Sequence, residues 1–172
     1  IAALKKSGIK KTVMLSGDAL VVARAVANEV GVDDVRAPLL PEHKVDAVKA
    51  LAKDGPVGMV GDGVNDAPAL ASAAVGIAMG GAGSDVALET ADVVLMGDDL
   101  SQLPFAIALA RSASSAVRQN LVIALGVASV LIVASVFGFV AVSQAVVLHE
   151  GSTVVVVLNG LRLLLFKPGA TT

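Results

Sequence analysis

Gly61-Asp62-Gly63-Val64-Asn65-Asp66-Ala67-Pro68-Ala69-Leu70 follows directly on the short apolar run Val57-Gly58-Met59-Val60. The run reads as a strand, and the glycines after it let the backbone turn tightly and expose two carboxylates four positions apart. Read from the residues alone, two meanings stand. A Gly-rich turn whose Asp caps the next helix is the plainer one. The other is a pair of oxygen donors at a strand end, suited to a hard cation such as Mg²⁺ that keeps some waters and a substrate phosphate.

Outward from this stretch the chain alternates strand and helix. Thr12 to Leu15 is β-rich and ends in the turn Ser16-Gly17-Asp18, and Ala19 to Val30 is an Ala-rich helical run. Pro41 to Lys53 places Val45, Val48 and Leu51 on one helical face. Beyond the quoted stretch, Asp66 to Ala74 predicts a helix, Val75 to Ala78 a strand, Asp85 to Thr90 a helix and Val93 to Leu95 a strand. Short, continuously apolar strands separated by helices predict an α/β fold with a parallel sheet covered on both faces. Ligands bind such sheets at the carboxyl ends of the strands, where Ser16, Asp18, Asp62 and Asp66 fall.

The remainder has a different chemistry. Residues 1–110 hold 9 Lys and Arg against 14 Asp and Glu, a net of −5, whereas residues 111–172 hold 4 against 1, a net of +3. The first stretch reads as an acidic soluble domain, the second as an apolar segment with basic flanks. Trp and Tyr are absent, which speaks against stacked recognition of nucleic acid or sugar, and so is Cys, which rules out a thiolate metal site built from this segment. The chain opens on Ile1 inside what reads as an amphipathic helix, so the expectation is a piece of a longer protein.

No charged residue occurs from 119 to 148. A bilayer crossing takes about 20 apolar residues; Leu121 to about Phe137 fits one, and Gln144 to Phe166 a second, with Gly138, Ser143 and Gln144 marking the turn. Arg111 and Arg118 precede the first span, Arg162 and Lys167 close the second, and the turn has no basic residue. The positive-inside tendency therefore puts both ends of the hairpin in the cytoplasm.

Within the second span stand His149 and Glu150, followed by Gly151-Ser152-Thr153. A carboxylate inside the bilayer costs about 2.5–3.5 kcal/mol on insertion scales, so it usually faces a partner, a cavity or an ion path. Successive helical residues point about 100° apart, so His149 and Glu150 flank one edge and Thr153 shares the face of His149. Imidazole with carboxylate suits borderline divalent ions such as Zn²⁺, Co²⁺ or Fe²⁺ better than Na⁺ or K⁺. A hydrated Glu150 at the outer interface is the alternative. Asn159 reads equally as a pathway residue or as a hydrogen-bonding contact between helices.

The decapeptide at 61–70 resembles the hinge motif of P-type ATPases, within the haloacid dehalogenase superfamily. The resemblance implies that Asp62 binds Mg²⁺ and that Asp66, with Asn65, supports the metal and the phosphate. Ser16-Gly17-Asp18 is similar to the family's Thr-Gly-Asp, and Pro41-Glu42-His43-Lys44 to its Pro-Glu-Asp-Lys, which implies that Lys44 neutralises charge on an aspartyl phosphate. Ala19 and His43 depart from the pattern, and the family's phosphorylated Asp-Lys-Thr-Gly does not occur here. His149-Glu150-Gly151-Ser152-Thr153 with Asn159-Gly160-Leu161-Arg162 resembles the last helix of heavy-metal members, most closely the cobalt-type subgroup that handles Co²⁺, Zn²⁺, Cd²⁺ or Fe²⁺. His149, Glu150 and Thr153 are then the candidate transport residues.

The expected organisation is the C-terminal half of a haloacid dehalogenase-like, Rossmannoid phosphorylation domain over 1–99 and a helical connector over 100–118. Transmembrane helices over 119–142 and 143–168 follow, then a tail over 169–172. The expected role is a share in an ATP-driven divalent-metal exporter of a bacterial plasma membrane, with Mg²⁺ as cofactor, ATP reached through an absent domain, and the lipid bilayer as partner. Without the nucleophile the segment alone is expected neither to autophosphorylate nor to hydrolyse ATP. The alternatives are a soluble Mg²⁺-dependent phosphatase of the same superfamily, and a nonenzymatic membrane anchor or metal sensor in which Asp62 would be dispensable.

Overall fold

The structure, a computed structural model, describes residues 1–62, 65–80, 89–97 and 99–167. The chain divides into two compact units, Ile1–Pro104 and Phe105–Thr172.

The first unit is α/β. Its elements run α1 (Ala2–Lys6), β1 (Val13–Leu15), α2 (Leu20–Val30), β2 (Asp34–Arg36), α3 (Pro41–Ala52), β3 (Gly58–Gly61), α4 (Ala67–Ser72), β4 (Val75–Met79) and β5 (Val93–Leu95). Every pairing among the described strands is parallel, with α2 crossing between β1 and β2 and α4 between β3 and β4. Among the described residues the strands form two sheets, β1-β2 and β3-β4-β5, rather than the one that the alternation alone suggests. The core is a cluster of Val48, Met59, Ala69, Leu70 and Ala78, with Leu15, Val45, Val57 and Val94 packed against it. It lies where α3 and α4 cover β3 and β4, so the site turn after β3 grows directly out of the best-buried part of the unit.

β2 is an element the sequence reading does not contain. Asp34-Val35-Arg36 has one apolar residue, and its strand conformation comes from its pairing partner, with Val13 opposite Asp34 and Leu15 opposite Arg36. Lys11 pairs with Asp34 at 3.1 Å. Asp33, just before the strand, accepts bonds from Lys5 Nζ at 2.6 Å and from the Thr12 amide and hydroxyl at 2.8 Å each. The helix read over Asp66 to Ala74 is shorter, since Ala73 is already extended and the Ala74 amide donates to Val57 O at 2.9 Å, leading the chain into β4. Of the helix read over Asp85 to Thr90, residues 85–88 lie outside the described residues.

The second unit is a helical hairpin. α5 (Gln102–Val136) is continuous through the stretch read as a connector and the start of a span, and α6 (Val142–Leu161) runs on into a 3₁₀ turn over Arg162–Leu165. α5 stops at a Schellman cap: Gly138 takes φ 76°, its amide donates to Ser135 O at 3.1 Å, and the Phe139 amide donates to Ala134 O at 2.8 Å. Gln144 Oε1 accepts from the Ala141 amide at 3.2 Å and opens α6. Both helices are long and apolar enough to cross a membrane, with mean hydropathy 2.1 and 1.3 in their apolar windows. Large side chains such as Leu125, Val130, Val147 and Leu158 stand exposed along them, as a lipid-facing surface would have them and a water-facing one would not.

Candidate functional site

In the first unit the site residues sit on turns that leave the carboxyl ends of strands. The turn after β1 is tied to the segment after β2: the Ser16 amide donates to Arg36 O at 3.1 Å and the Leu39 amide to Ser16 O at 2.9 Å. Ser16 Oγ donates to Asp18 Oδ2 at 2.9 Å and accepts from the Asp18 amide at 3.1 Å, so hydroxyl and carboxylate hold each other. The turn after β3 carries Asp62, whose Oδ1 accepts from the Asn65 amide at 3.3 Å. Gly63 and Val64 lie outside the described residues.

Asp66 does not cap α4 with its side chain. Its carbonyl accepts the first bond of α4, from the Leu70 amide at 2.8 Å. The carboxylate turns instead to Lys44, with Nζ donating to Oδ1 at 2.6 Å. Lys44 is 17% and Asp66 13% exposed at the side chain, so the pair is largely shielded from water. Lys44 reaches it from the first turn of α3, which Pro41 opens. Two motifs 22 residues apart thus meet in one charge-assisted bond. Gly61 permits this approach: a Cβ there would lie 2.7 Å from Asp66 Oδ2.

Bonds from Lys5 and then from the Thr12 amide hold the Asp33 carboxyl at about 2, below its ordinary 3.8. Lys11 lowers that of Asp34, and the Ser101 hydroxyl and amide lower that of Asp99.

In the second unit the hydroxyls near His149 are turned to their own helix. Ser152 Oγ donates to His149 O at 2.6 Å and Thr153 Oγ1 to the same oxygen at 3.3 Å. Thr153 is therefore joined to the backbone of His149 rather than to its ring. His149, Glu150 and Thr153 are exposed, and Ser152 is buried. Among the described residues no three His, Cys, Asp or Glu side chains gather closely enough to hold a metal ion by themselves. Asn159 makes interhelical bonds, donating to Asn120 Oδ1 at 2.8 Å and to Gln119 Oε1 at 3.3 Å, and Arg162 donates to Gln119 Oε1 at 2.9 Å. Gln119 and Asn120 were not legible as site residues, because their partners stand about forty positions away.

Residues 1–74 match the family of haloacid dehalogenase-like hydrolases. The chain is 47% identical over 168 residues to the probable cadmium-transporting ATPase of Staphylococcus aureus, covering 97% of this chain and 21% of that protein. It is 50% identical over 162 residues to the zinc-transporting ATPase of Bacillus subtilis (strain 168), covering 94% of this chain and 25% of that one. It superposes with a TM-score of 0.84 on the crystal structure of a zinc-transporting PIB-type ATPase in the E2·Pi state, at 44% identity, covering 95% of this chain and 27% of that one. The chain thus spans between a fifth and a quarter of the length of these two relatives. Its fold is a haloacid dehalogenase-like α/β unit with parallel sheets, followed by two long apolar helices.

Proposed function

We propose that this chain is part of an ATP-driven exporter of divalent heavy-metal cations that works through an aspartyl phosphate. It would hold the Mg²⁺ end of the phosphorylation site and one wall of the metal path. The observation that carries the proposal is the shielded Lys44–Asp66 pair beside Asp62, in a chain that goes on into two apolar helices. Relatives named for cadmium and zinc transport, matched along nearly the whole chain, support it.

Asp62 and Asp66 offer hard oxygen donors at one strand end, a donor set that fits Mg²⁺. One oxygen of Asp66 is engaged by Lys44, so Asp62 is the better-placed ligand and Asp66 the support. Bound there, Mg²⁺ would neutralise charge on the transferring phosphoryl group. Lys44, fixed by Asp66 rather than swinging in solvent, supplies a second preorganised positive charge, the kind of electrostatic help that phosphoryl transfer needs. Ser16 can donate its hydroxyl to a phosphoryl oxygen once it releases Asp18 Oδ2, to which that hydroxyl donates here. Asn65 keeps Asp62 in place through its backbone amide. β1 and β3 each pair on one side only among the described strands, and both end on Gly-Asp turns. A parallel strand from the rest of the protein, bearing the nucleophilic Asp that the resemblance requires, has two edges to join.

The metal is the cargo. His149 and Glu150 offer one imidazole and one carboxylate to it, with Thr153 beside them, and further ligands come from other helices of the intact protein. This donor pair favours borderline divalent ions. We therefore place the protein with the cobalt-type members and expect Co²⁺ and Fe²⁺ beside the Zn²⁺ and Cd²⁺ of the named relatives. In the full-length protein, Asp62→Ala should abolish phosphoenzyme formed from ATP and Mg²⁺; a normal level would sink the Mg²⁺ assignment. His149→Ala and Glu150→Ala should each lose metal-stimulated turnover while phosphorylation from inorganic phosphate persists. Titrating ATPase activity with Co²⁺, Zn²⁺, Cd²⁺, Fe²⁺ and Ni²⁺ identifies the cargo, and a flat response to all five would remove the transport reading.

A further inference from the structure

We infer that Asn159 of α6 and Arg162 of the 3₁₀ turn that follows it, with Gln119 and Asn120 of α5, form a polar latch that fixes the register of the two membrane helices. Through that register they would position His149 and Glu150, an inference that rests on the transport reading above. The latch is three bonds: Asn159 Nδ2 to Asn120 Oδ1 at 2.8 Å, Asn159 Nδ2 to Gln119 Oε1 at 3.3 Å, and Arg162 Nη2 to Gln119 Oε1 at 2.9 Å. Gln119 Oε1 accepts from both Asn159 and Arg162, so these two donors converge on one point of α5. Asn159 and Asn120 are half-buried.

The rest of the hairpin offers little else to set the register. Beyond the latch the helices leave an open apolar groove of ≈ 520 Å³, lined by Gly126 and Val127 on α5 and by Leu148, Ser152 and Val155 on α6. Aliphatic side chains along such a groove can slide by a helical turn with little change in what they touch. The hydroxyls of Ser152 and Thr153 are spent on His149 O and do not reach across. At the far end the helices are joined by the turn over residues 137–141, which limits their separation. These bonds are directional, and the half-burial of Asn159 and Asn120 limits how far water can replace them. The latch is therefore the feature that selects one register.

What the register sets is height. His149 and Glu150 stand ten and nine residues before Asn159 on the same helix, about 15 Å and about 13.5 Å along its axis. A slip by one turn would move them about 5.4 Å, far more than a metal–ligand bond tolerates. Neither Asn159 nor Arg162 need touch the ion for its affinity to depend on them.

The test is a double-mutant cycle on Asn159→Leu and Asn120→Leu in the full-length protein, with two readouts. The first is the metal concentration giving half-maximal phosphoenzyme from ATP, read apart from the maximal level and from phosphorylation by inorganic phosphate. Each single variant should raise that concentration about three- to tenfold, the range of interhelical hydrogen-bond couplings in membranes. The double variant should be no worse than Asn159→Leu, which already loses both bonds from Asn159 to α5, and phosphorylation from inorganic phosphate should stay. The second readout is thermal unfolding of the detergent-solubilised protein, where the two substitutions should again be non-additive. Unchanged metal dependence in all three variants, or effects that simply multiply, would overturn the positioning role. If the unsubstituted protein shows no metal-stimulated phosphoenzyme, the transport reading fails instead, and non-additive unfolding alone decides whether the latch exists. Where Asn159→Leu does not accumulate in membranes, Asn159→Ser, smaller and still polar, carries the same comparison.

Discussion

A Cβ on Gly61 would come within 2.7 Å of Asp66 Oδ2 and 2.8 Å of Asp66 Cβ, distances at which one of them has to move. Gly61 has no functional group, yet it lets the carboxylate lie against the end of β3 and reach Lys44. Gly61→Ala should displace Asp66 and cost phosphoenzyme formation about a hundredfold, the scale of a misplacement near 1 Å. Circular dichroism should show the fold retained; activity within about twofold of the parent would mean that Asp66 relaxes without loss. A second residue, Asp33, governs acid behaviour. Its carboxyl titrates near 2 in the folded state against an ordinary 3.8, so its contribution to stability is present above about 3.8 and is lost as pH falls to about 2. Lys5→Met removes the leading cause of that depression. The stability gap between parent and variant should therefore narrow as pH falls across this window, down to what the Lys5 Nζ bond to Gly31 O contributes, whereas a gap constant with pH would assign the whole effect to that bond and to packing. The two Gly-Asp turns of the candidate site were legible at this scale, because such turns after apolar runs announce themselves. The Lys44–Asp66 bond was not, since nothing within either motif names a partner 22 positions away.

The strands and helices around that site are legible in proportion to how local their causes are. α2 and α3 follow from apolar spacing, and β3 and β4 from apolar runs, whereas β2 owes its conformation to Val13–Leu15 and to the charges of Lys5, Lys11 and Thr12's neighbour Asp33. The join of α4 and β4 shows the same dependence on packing. A Cβ on Gly76 would lie 2.9 Å from Leu70 O and 3.2 Å from Leu70 C, both main-chain atoms that cannot swing aside. Leu70 is 1% exposed and sits in the core cluster, so the backbone there has no room to retreat. Gly76→Ala should cost about 1–3 kcal/mol by overpacking. Leu70→Ala, which opens a cavity instead, should cost about 2–5 kcal/mol. Urea unfolding of the purified protein measures both, and a neutral Gly76→Ala would show that α4 can shift away from β4. Asp92 adds a further tie, its Oδ2 accepting from the Gly76 amide at 2.8 Å, which sequence periodicity has no means of showing.

At the scale of the whole chain, the charge asymmetry and the apolar gap from 119 to 148 announced a hairpin, but not where the bilayer begins. α5 has 35 residues and is about 52 Å long, well over the roughly 30 Å of a hydrocarbon core. α6 has 20 and is about 30 Å long, close to one crossing. The latch brings Gln119 and Asn120 level with Asn159 and Arg162, so on the proposed transport reading one end of α6 sets the membrane edge on α5 as well. That edge falls beside Arg118 and Arg162, leaving about 18 residues of α5, from 119 to 136, to cross with an approximately 27 Å rise. Residues 102–118, with Arg111 and Arg118, then stand clear of the hydrocarbon on the side favoured by basic residues. Because the chain contains no cysteine, this arrangement can be mapped with single replacements in it. Phe139→Cys, in the turn and strongly exposed, should react with a membrane-impermeant maleimide in intact cells. Ser115→Cys, exposed on the first part of α5, should react only after the membrane is opened. Labelling of both positions in intact cells would take the hairpin out of the bilayer. The reverse pattern would place the α/β unit, with Lys44, Asp62 and Asp66, on the side away from ATP, and the proposed phosphorylation chemistry would fail with it.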